Sequence, residues 1–349
     1  MNPMRLFVAK TSGRFARLIL VGVTAGLLST LALAQGSAKP VHDPLGTIKS
    51  SHTTTCPSGG VGGGVCYTLL ISCPSVANMT GILKVNRPAG SSLGTIIFGA
   101  GGNGVGYYDR EFAFGATAVS SVLSAGFTTA QINFNGFSNG WMTGPGGPRK
   151  LACRYATVAQ WVYNNIRPSS TEPLCATGNS GGSSVIGYAL AHYGLYSIFS
   201  MVELTSGPPQ SRIDYGCICD QAAGPTSCGN GPLKQCYGVK TAQMSMDQAY
   251  ASTICSSAVT THDRTNAQLF LNDSLNSADA TLSYPTTDVH FVFGGLDKSS
   301  AVPLGQYFAD RLATKHTVDC VSDAPHSLPD VQDGGAKVSD DLTAFCRKQ

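Results

Sequence analysis

Ser180 stands in the run Gly178-Asn179-Ser180-Gly181-Gly182, and its surroundings are those of a hydroxyl placed for nucleophilic attack. A serine hydroxyl attacks poorly unless a neighbouring base takes its proton. That base is usually a histidine oriented by a carboxylate, and backbone N–H groups must receive the oxyanion that develops. The chemistry expected of such a set is acyl transfer. Downstream, Asp297 follows the apolar run VHFVFGGL directly, and His326 lies in SDAPHSLPD after HTVDCVS. Serine, acid and histidine thus occur in that order.

The pentapeptide fits two unrelated patterns, the G-x-S-x-G nucleophile elbow and the Gly-Asp/Asn-Ser-Gly-Gly loop of trypsin-like proteases. The neighbours separate them. An apolar strand, LCATG, runs into Ser180, and a helical stretch from Gly181 to His192 runs out of it. This is the strand-turn-helix context of an elbow. A trypsin-like protease orders its triad His, Asp, Ser on an all-β framework, with the serine late in the chain. Here the histidines preceding Ser180 are His42 and His52, in a polar leader.

On these residues the sequence resembles the α/β-hydrolase family, from about Cys66 to Cys346 apart from an insertion. The resemblance implies Ser180 as nucleophile, His326 as general base and Asp297 as orienting acid. It implies the Gly181 N–H as one oxyanion donor. The other would come from the loop FGAGGNGVGYYD, with Ala100 in the donor position and Gly101 as alternate. Where family members often have His-Gly, this chain has Phe98-Gly99. Asp323 and Asp288 are alternative acids, the first in the histidine's own loop and the second before its strand. His290, His316 and His262 are less well placed as bases. Tyr107, Tyr108, Trp141 and Met142 fall in loops beyond strand ends, where they either line a substrate groove or pack beneath it. A dinucleotide cradle in GAGGNGVG is disfavoured, because the following strand, QINFNG, ends without an acid.

These residues need a sheet to hold them. Strand patterns occur at 67–72, 81–86, 95–99, 127–135, 174–178, 197–204, 289–295 and 316–322, and helical spacing at 110–126, 149–166, 181–192, 304–313 and 338–346. Strands alternating with helices predict an α/β fold with a mostly parallel central sheet and helices on both faces. The alternation stops at residue 206. The segment 206–285 is rich in Cys, Gly, Ser and Thr, with one helix expected near 240–255, and reads as an insertion or cap. Residues 35–65 read as leader and loop.

The first 34 residues carry Arg5, Lys10, Arg14 and Arg17, then a long apolar run ending in Ala32-Leu33-Ala34. That is the pattern of a cleaved export signal, and it predicts a secreted or periplasmic protein without a lasting membrane anchor. Without those residues the chain has 19 basic and 20 acidic side chains. No cluster of Lys and Arg suggests a nucleic-acid partner. Twelve cysteines fit disulfides in an oxidising compartment. Five lie between 217 and 255, so full pairing requires at least one bridge from that region to the rest. Cys320 and Cys346 are expected to pair, since the last strand and last helix should pack together. A zinc site at Cys217, Cys219, Cys228 and Cys236 is the less favoured reading. The expectation is therefore a secreted serine hydrolase acting on carboxylic esters, with no metal or cofactor. A serine peptidase on the same fold and a non-catalytic binding module are the alternatives.

Overall fold

The computed structural model describes residues 42–134 and 140–347, and the expected export signal lies outside them. Nine strands form one sheet in the order β1-β2-β3-β5-β4-β6-β7-β8-β9. They are β1 (Thr47–Thr54), β2 (Val65–Ser72), β3 (Met79–Asn86), β4 (Thr95–Gly99), β5 (Thr128–Asn133), β6 (Leu174–Asn179), β7 (Met201–Thr205), β8 (Asp288–Gly294) and β9 (His316–Val321). Strands β1, β2, β3 and β5 pair antiparallel along one side. From β5 through β4, β6, β7 and β8 to β9 every pairing is parallel.

The alternation of side chains along a strand divides the core in two. Ile97, Ala176, Val202, Leu204, Phe291 and Phe293 point to one face. There they meet helices α3 (Gly147–Leu151), α4 (Cys153–Asn165), α5 (Gly181–Ala191) and α10 (Ala301–Arg311). Ile96, Phe98, Cys175, Met201, Val292 and Val321 point to the other face. Their partners are α1 (Tyr108–Glu111), α2 (Gly115–Ser124) and α11 (Gln332–Phe345). Central strands buried on both faces read as continuous apolar runs, which is why β4 and β6 to β8 stand out in the sequence.

Several expectations need correction. Residues 47–54 are a strand, not loop: TIKSSHTT pairs with β2 at the sheet edge. Its side chains are nearly all exposed, so no apolar alternation marks it. The helix expected over 110–126 is broken at Phe112–Phe114 into α1 and α2. Strand β7 starts at Met201, and residues 195–197 before it form a short 3-10 turn. Between β7 and β8 there are four helices instead of one: α6 (Ile213–Ile218), α7 (Lys240–Tyr250), α8 (Ile254–Thr261) and α9 (Ala267–Asn272).

All twelve cysteines pair, as Cys56–Cys66, Cys73–Cys153, Cys175–Cys346, Cys217–Cys255, Cys219–Cys236 and Cys228–Cys320. The bridge that parity demands between 217–255 and the rest is Cys228–Cys320. The expected Cys320–Cys346 pair is wrong, and strand alternation gives the reason. Val321 faces α11, so its neighbour Cys320 faces away, toward the segment carrying Cys228. Cys346, at the end of α11, meets Cys175 on β6 instead. With the cysteines spent in disulfides, the zinc reading loses its ligands.

Candidate active site

The sheet turns abruptly into α5 at Ser180. Its backbone sits at φ 53°, ψ −112°, a conformation a side-chain-bearing residue holds only when its surroundings impose it. The constraint comes from close backbone approach. A Cβ on Gly178 would lie 2.6 Å from the Gly182 carbonyl carbon, and one on Gly181 would lie 1.8 Å from the Gly102 carbonyl oxygen. Neither position admits a side chain, so the strand, helix and loop after β4 can meet at the serine.

His326 lies between Ser180 and Asp297. Its Nε2 is 2.9 Å from Ser180 Oγ, and its Nδ1 is 2.8 Å from Asp297 Oδ2. The imidazole side chain is 39% exposed and the carboxylate 1%. The acid is thus sealed while the base remains open to a ligand. Burial alone would raise the Asp297 carboxyl. Its hydrogen bond and charge interaction with His326, together with the Ser299 N–H, outweigh burial and hold it below the usual range. Ser299 Oγ adds a second contact to His326 Nδ1 at 3.2 Å.

The three side chains come from separate strand ends, after β6, β8 and β9, on the carboxyl edge of the parallel strands. Asn179 ties two of these ends together. Its Nδ2 donates to the His326 carbonyl at 3.3 Å, and its Oδ1 accepts from the Leu328 N–H at 3.2 Å and from Thr205 Oγ1 at 3.0 Å. It is buried, so the histidine loop is fixed to the residue just before Ser180. The competing acids lie elsewhere: Asp323 is exposed, and Asp288 begins β8 at its other end. Of the other histidines, His290 neighbours Asp341 at 3.9 Å, His262 bonds the Ile218 carbonyl and His316 the Thr314 carbonyl.

This strand order, with Ser180 at the β6–α5 turn and Asp297 and His326 after β8 and β9, decides the architecture. The chain has the α/β-hydrolase fold. No protein-family model and no curated protein sequence matches the chain. Among solved structures it is similar to dienelactone hydrolase from Anabaena variabilis ATCC 29413 at 13% identity and TM-score 0.45, over 81% of this chain and 96% of that one. Est1E from Butyrivibrio proteoclasticus matches at 13% identity and TM-score 0.46, over 80% and 96%. Esterase Est22 matches at 12% identity and TM-score 0.49, over 81% of each.

What lies around Ser180 in this α/β-hydrolase fold decides what can reach it. A cavity of about 460 Å³ opens at Ser180 and His326. Much of its lining is apolar: Phe112, Met142, Pro209, Tyr237, Val239 and Ala242. Among the described residues no lysine or arginine lines it. Of the four sequence candidates for substrate contact, Met142 is in this lining. Tyr107 lines an adjoining cleft of about 490 Å³ that shares Gly101, Gly102, Asn103 and Glu111 with the first. Tyr108 packs between Phe98 and Phe112 in the core, and Trp141 is buried in the opposite core cluster. Both are fully buried and neither lines the cavity.

The loop after β4, expected to supply an oxyanion donor, places Ala100 and Gly101 differently. Ala100 is buried and does not line the cavity. Gly101 does, but its N–H donates to Glu111 Oε1 at 3.1 Å. Gly102 is the next loop residue in the lining, packed against Gly181. Gly181 is the first residue of α5, so its own N–H has no acceptor within the helix. Helix α1, which carries Glu111, is anchored by the buried pair Lys84–Asp109 at 2.7 Å, and Asp109 also accepts from the Val61 N–H. Sequence reasoning missed Glu111, Asn179 and the contribution of α7. The Glu111 contact had no local signal, but Asn179 sits next to Ser180 and could have been examined.

Among the described residues no group of three or more His, Cys, Asp or Glu side chains could hold a metal, and no helix is long and apolar enough to cross a membrane.

Proposed function

We propose that the chain is an exported serine hydrolase that cleaves carboxylic esters through an acyl-enzyme on Ser180. The observation that carries this reading is the imidazole of His326, within 2.9 Å of the serine hydroxyl and 2.8 Å of a sealed carboxylate. In this reading Nε2 takes the proton of Ser180 Oγ as the oxygen bonds to the ester carbonyl carbon. The Asp297 carboxylate accepts from Nδ1–H, fixing the tautomer and stabilising the imidazolium. The oxyanion is received by the Gly181 N–H and by the Gly101–Gly102 backbone, where Gly101 must exchange Glu111 for the oxyanion. The imidazolium then returns its proton to the leaving alkoxide. Water repeats the sequence, releasing the acid and restoring the serine.

The lining supports an uncharged substrate. With no lysine or arginine among the described lining residues to pair a free carboxylate, an anionic acyl group would lose its hydration without compensation. An apolar acyl chain of modest size fits a cavity of about 460 Å³. Six disulfides support export into an oxidising compartment, in keeping with the leader sequence.

The test is a panel of p-nitrophenyl esters of increasing acyl length beside peptide p-nitroanilides, on wild type and Ser180→Ala. We expect ester turnover that vanishes in the variant, together with its labelling by a fluorophosphonate, while circular dichroism is unchanged. Labelling that survives the substitution would refute the nucleophile, and faster cleavage of the anilides would move the reading to a peptidase.

A further inference from the structure

The segment between β7 and β8 does more than line the cavity: it holds the loop of the acid. Residues 224–233 form a closed loop, joined at its base by Gly224 N–H to the Leu233 carbonyl at 2.8 Å and the reverse bond at 3.0 Å. At its tip Asn230 stands between Gly229 and Gly231, whose φ angles of +70° and +71° turn the chain sharply on either side. The Asn230 Nδ2 donates to the Asp297 carbonyl at 2.7 Å and to the Gly294 carbonyl at 3.1 Å.

Those two carbonyls are the ends of the turn that leaves β8 and presents Asp297. The turn is closed internally by the Asp297 N–H on the Gly294 carbonyl at 3.1 Å. Gly295 and Leu296 donate to the Val321 and Ala324 carbonyls, which ties it to β9 and the histidine loop. Asn230 grips it from the insertion. Two further attachments keep the loop in place. Cys228, two residues before Asn230, is bonded to Cys320 on β9, and Ser227 Oγ is 2.5 Å from Gln306 Oε1 on α10.

We infer that Asn230 is a positioning residue for Asp297, and that the Cys228–Cys320 bridge anchors the strut that carries it. This rests on the hydrolase reading above. The amide acts on the backbone of the acid, and the acid acts on His326. Loss of the amide takes this donor from the Asp297 carbonyl, leaves the Gly294 carbonyl with the Asp297 N–H, and lets the turn relax. Displacement of a catalytic group by about an ångström can cost up to roughly 100-fold in rate.

The experiment is a double-mutant cycle on the full chain, with a p-nitrophenyl ester as substrate. Asn230→Ala should lower kcat roughly tenfold with KM little changed. In an Asp297→Asn background the same substitution should cost less than about twofold, because the residue it positions is no longer functional. A residue that only stabilises the fold would cost the same factor in both backgrounds, and that outcome would overturn the inference. So would a folded Asn230→Ala with wild-type kcat. If Asn230→Ala does not fold, Cys228→Ser/Cys320→Ser provides the same cycle by releasing the loop at its anchor. Ser180→Ala in the same assay separates the two levels. Activity surviving there defeats the hydrolase reading, whereas an inactive Ser180→Ala with additive Asn230 costs defeats only the strut.

Discussion

Two parts of the candidate site are held by different means. Ser180, His326 and Asp297 stand on ends of parallel strands, where both faces of the sheet are packed and backbone approaches leave no room for a side chain. Tyr237, Val239 and Ala242 belong to the long segment between β7 and β8. That segment is built of short helices stapled by Cys217–Cys255 and Cys219–Cys236. Val239 and Met244 there are 58% and 48% exposed. The difference is one of division of labour. Rigid strand ends suit groups that must keep hydrogen-bond geometry through a reaction, while an appended wall can vary in shape without disturbing them.

Perturbing the strand-borne part should have the largest effect. Asp297→Asn keeps the shape of the acid but removes the charge that orients and stabilises the imidazolium. Turnover should fall by roughly three to four orders of magnitude, as in the protease template. Asp323→Asn, at an exposed site in the histidine loop, should cost far less. Steady-state kinetics on the two folded variants give the ranking, and the reverse order would move the acid to the histidine loop.

The junction between the two parts should respond to pH through stability. His192 ends α5 and is buried, with Nε2 3.2 Å from the Ser274 carbonyl in the segment. Burial, helped by the Arg149 charge, lowers its pKa to about 4. A base depressed in this way contributes stability above its unfolded value of about 6.5 that is lost as pH falls toward 4. The full loss is on the order of 3 kcal/mol. Asp273, pushed up to about 6 by burial, works in the opposite direction over part of that interval. The quantity to measure is therefore the difference between wild type and His192→Gln in urea melts from pH 7 to pH 4. The variant should lose less stability on acidification, and parallel curves would refute the assignment.

The smallest effect should come from the appended wall. Val239→Ser makes part of the lining polar without touching the triad. The preference for longer over shorter acyl esters in kcat/KM should fall by roughly three- to tenfold. An unchanged chain-length profile would mean that this wall does not meet the acyl group.

The same contrast explains what could be read from the sequence. The elbow, the Ser-Asp-His order and strands β2 to β9 were legible, because the central strands are buried and apolar and Ser180, Asp297 and His326 each follow a strand-like run, although β9 itself is largely half-buried or exposed. Strand β1 was not, since TIKSSHTT is exposed at an edge and differs little from loop. Helices α6, α8 and α9 were hidden because they are short and draw their stability from disulfides and tertiary packing, which leave a weak periodic signal. The partner of Cys346 depended on which face of β9 each residue occupies. Glu111 was invisible for a similar reason: its bond to Gly101 joins residues ten apart across a turn whose path no local pattern specifies.

The Cys175–Cys346 bond closes a covalent ring with a sequence separation of 171 residues. Chain-entropy arguments put the constraint that such a ring imposes on the unfolded chain at about 5 kcal/mol. Ser180, Asn230, Asp297 and His326 all fall inside it. A single proteolytic nick in any exposed loop of the ring would therefore release no fragment, and both new ends would stay tethered through the base of β6. The ring also fixes an order of events during biosynthesis. Cys346 follows Cys175 by 171 residues, so the strand that leads into Ser180 receives its covalent partner only after β7, β8, β9 and α11 have been made.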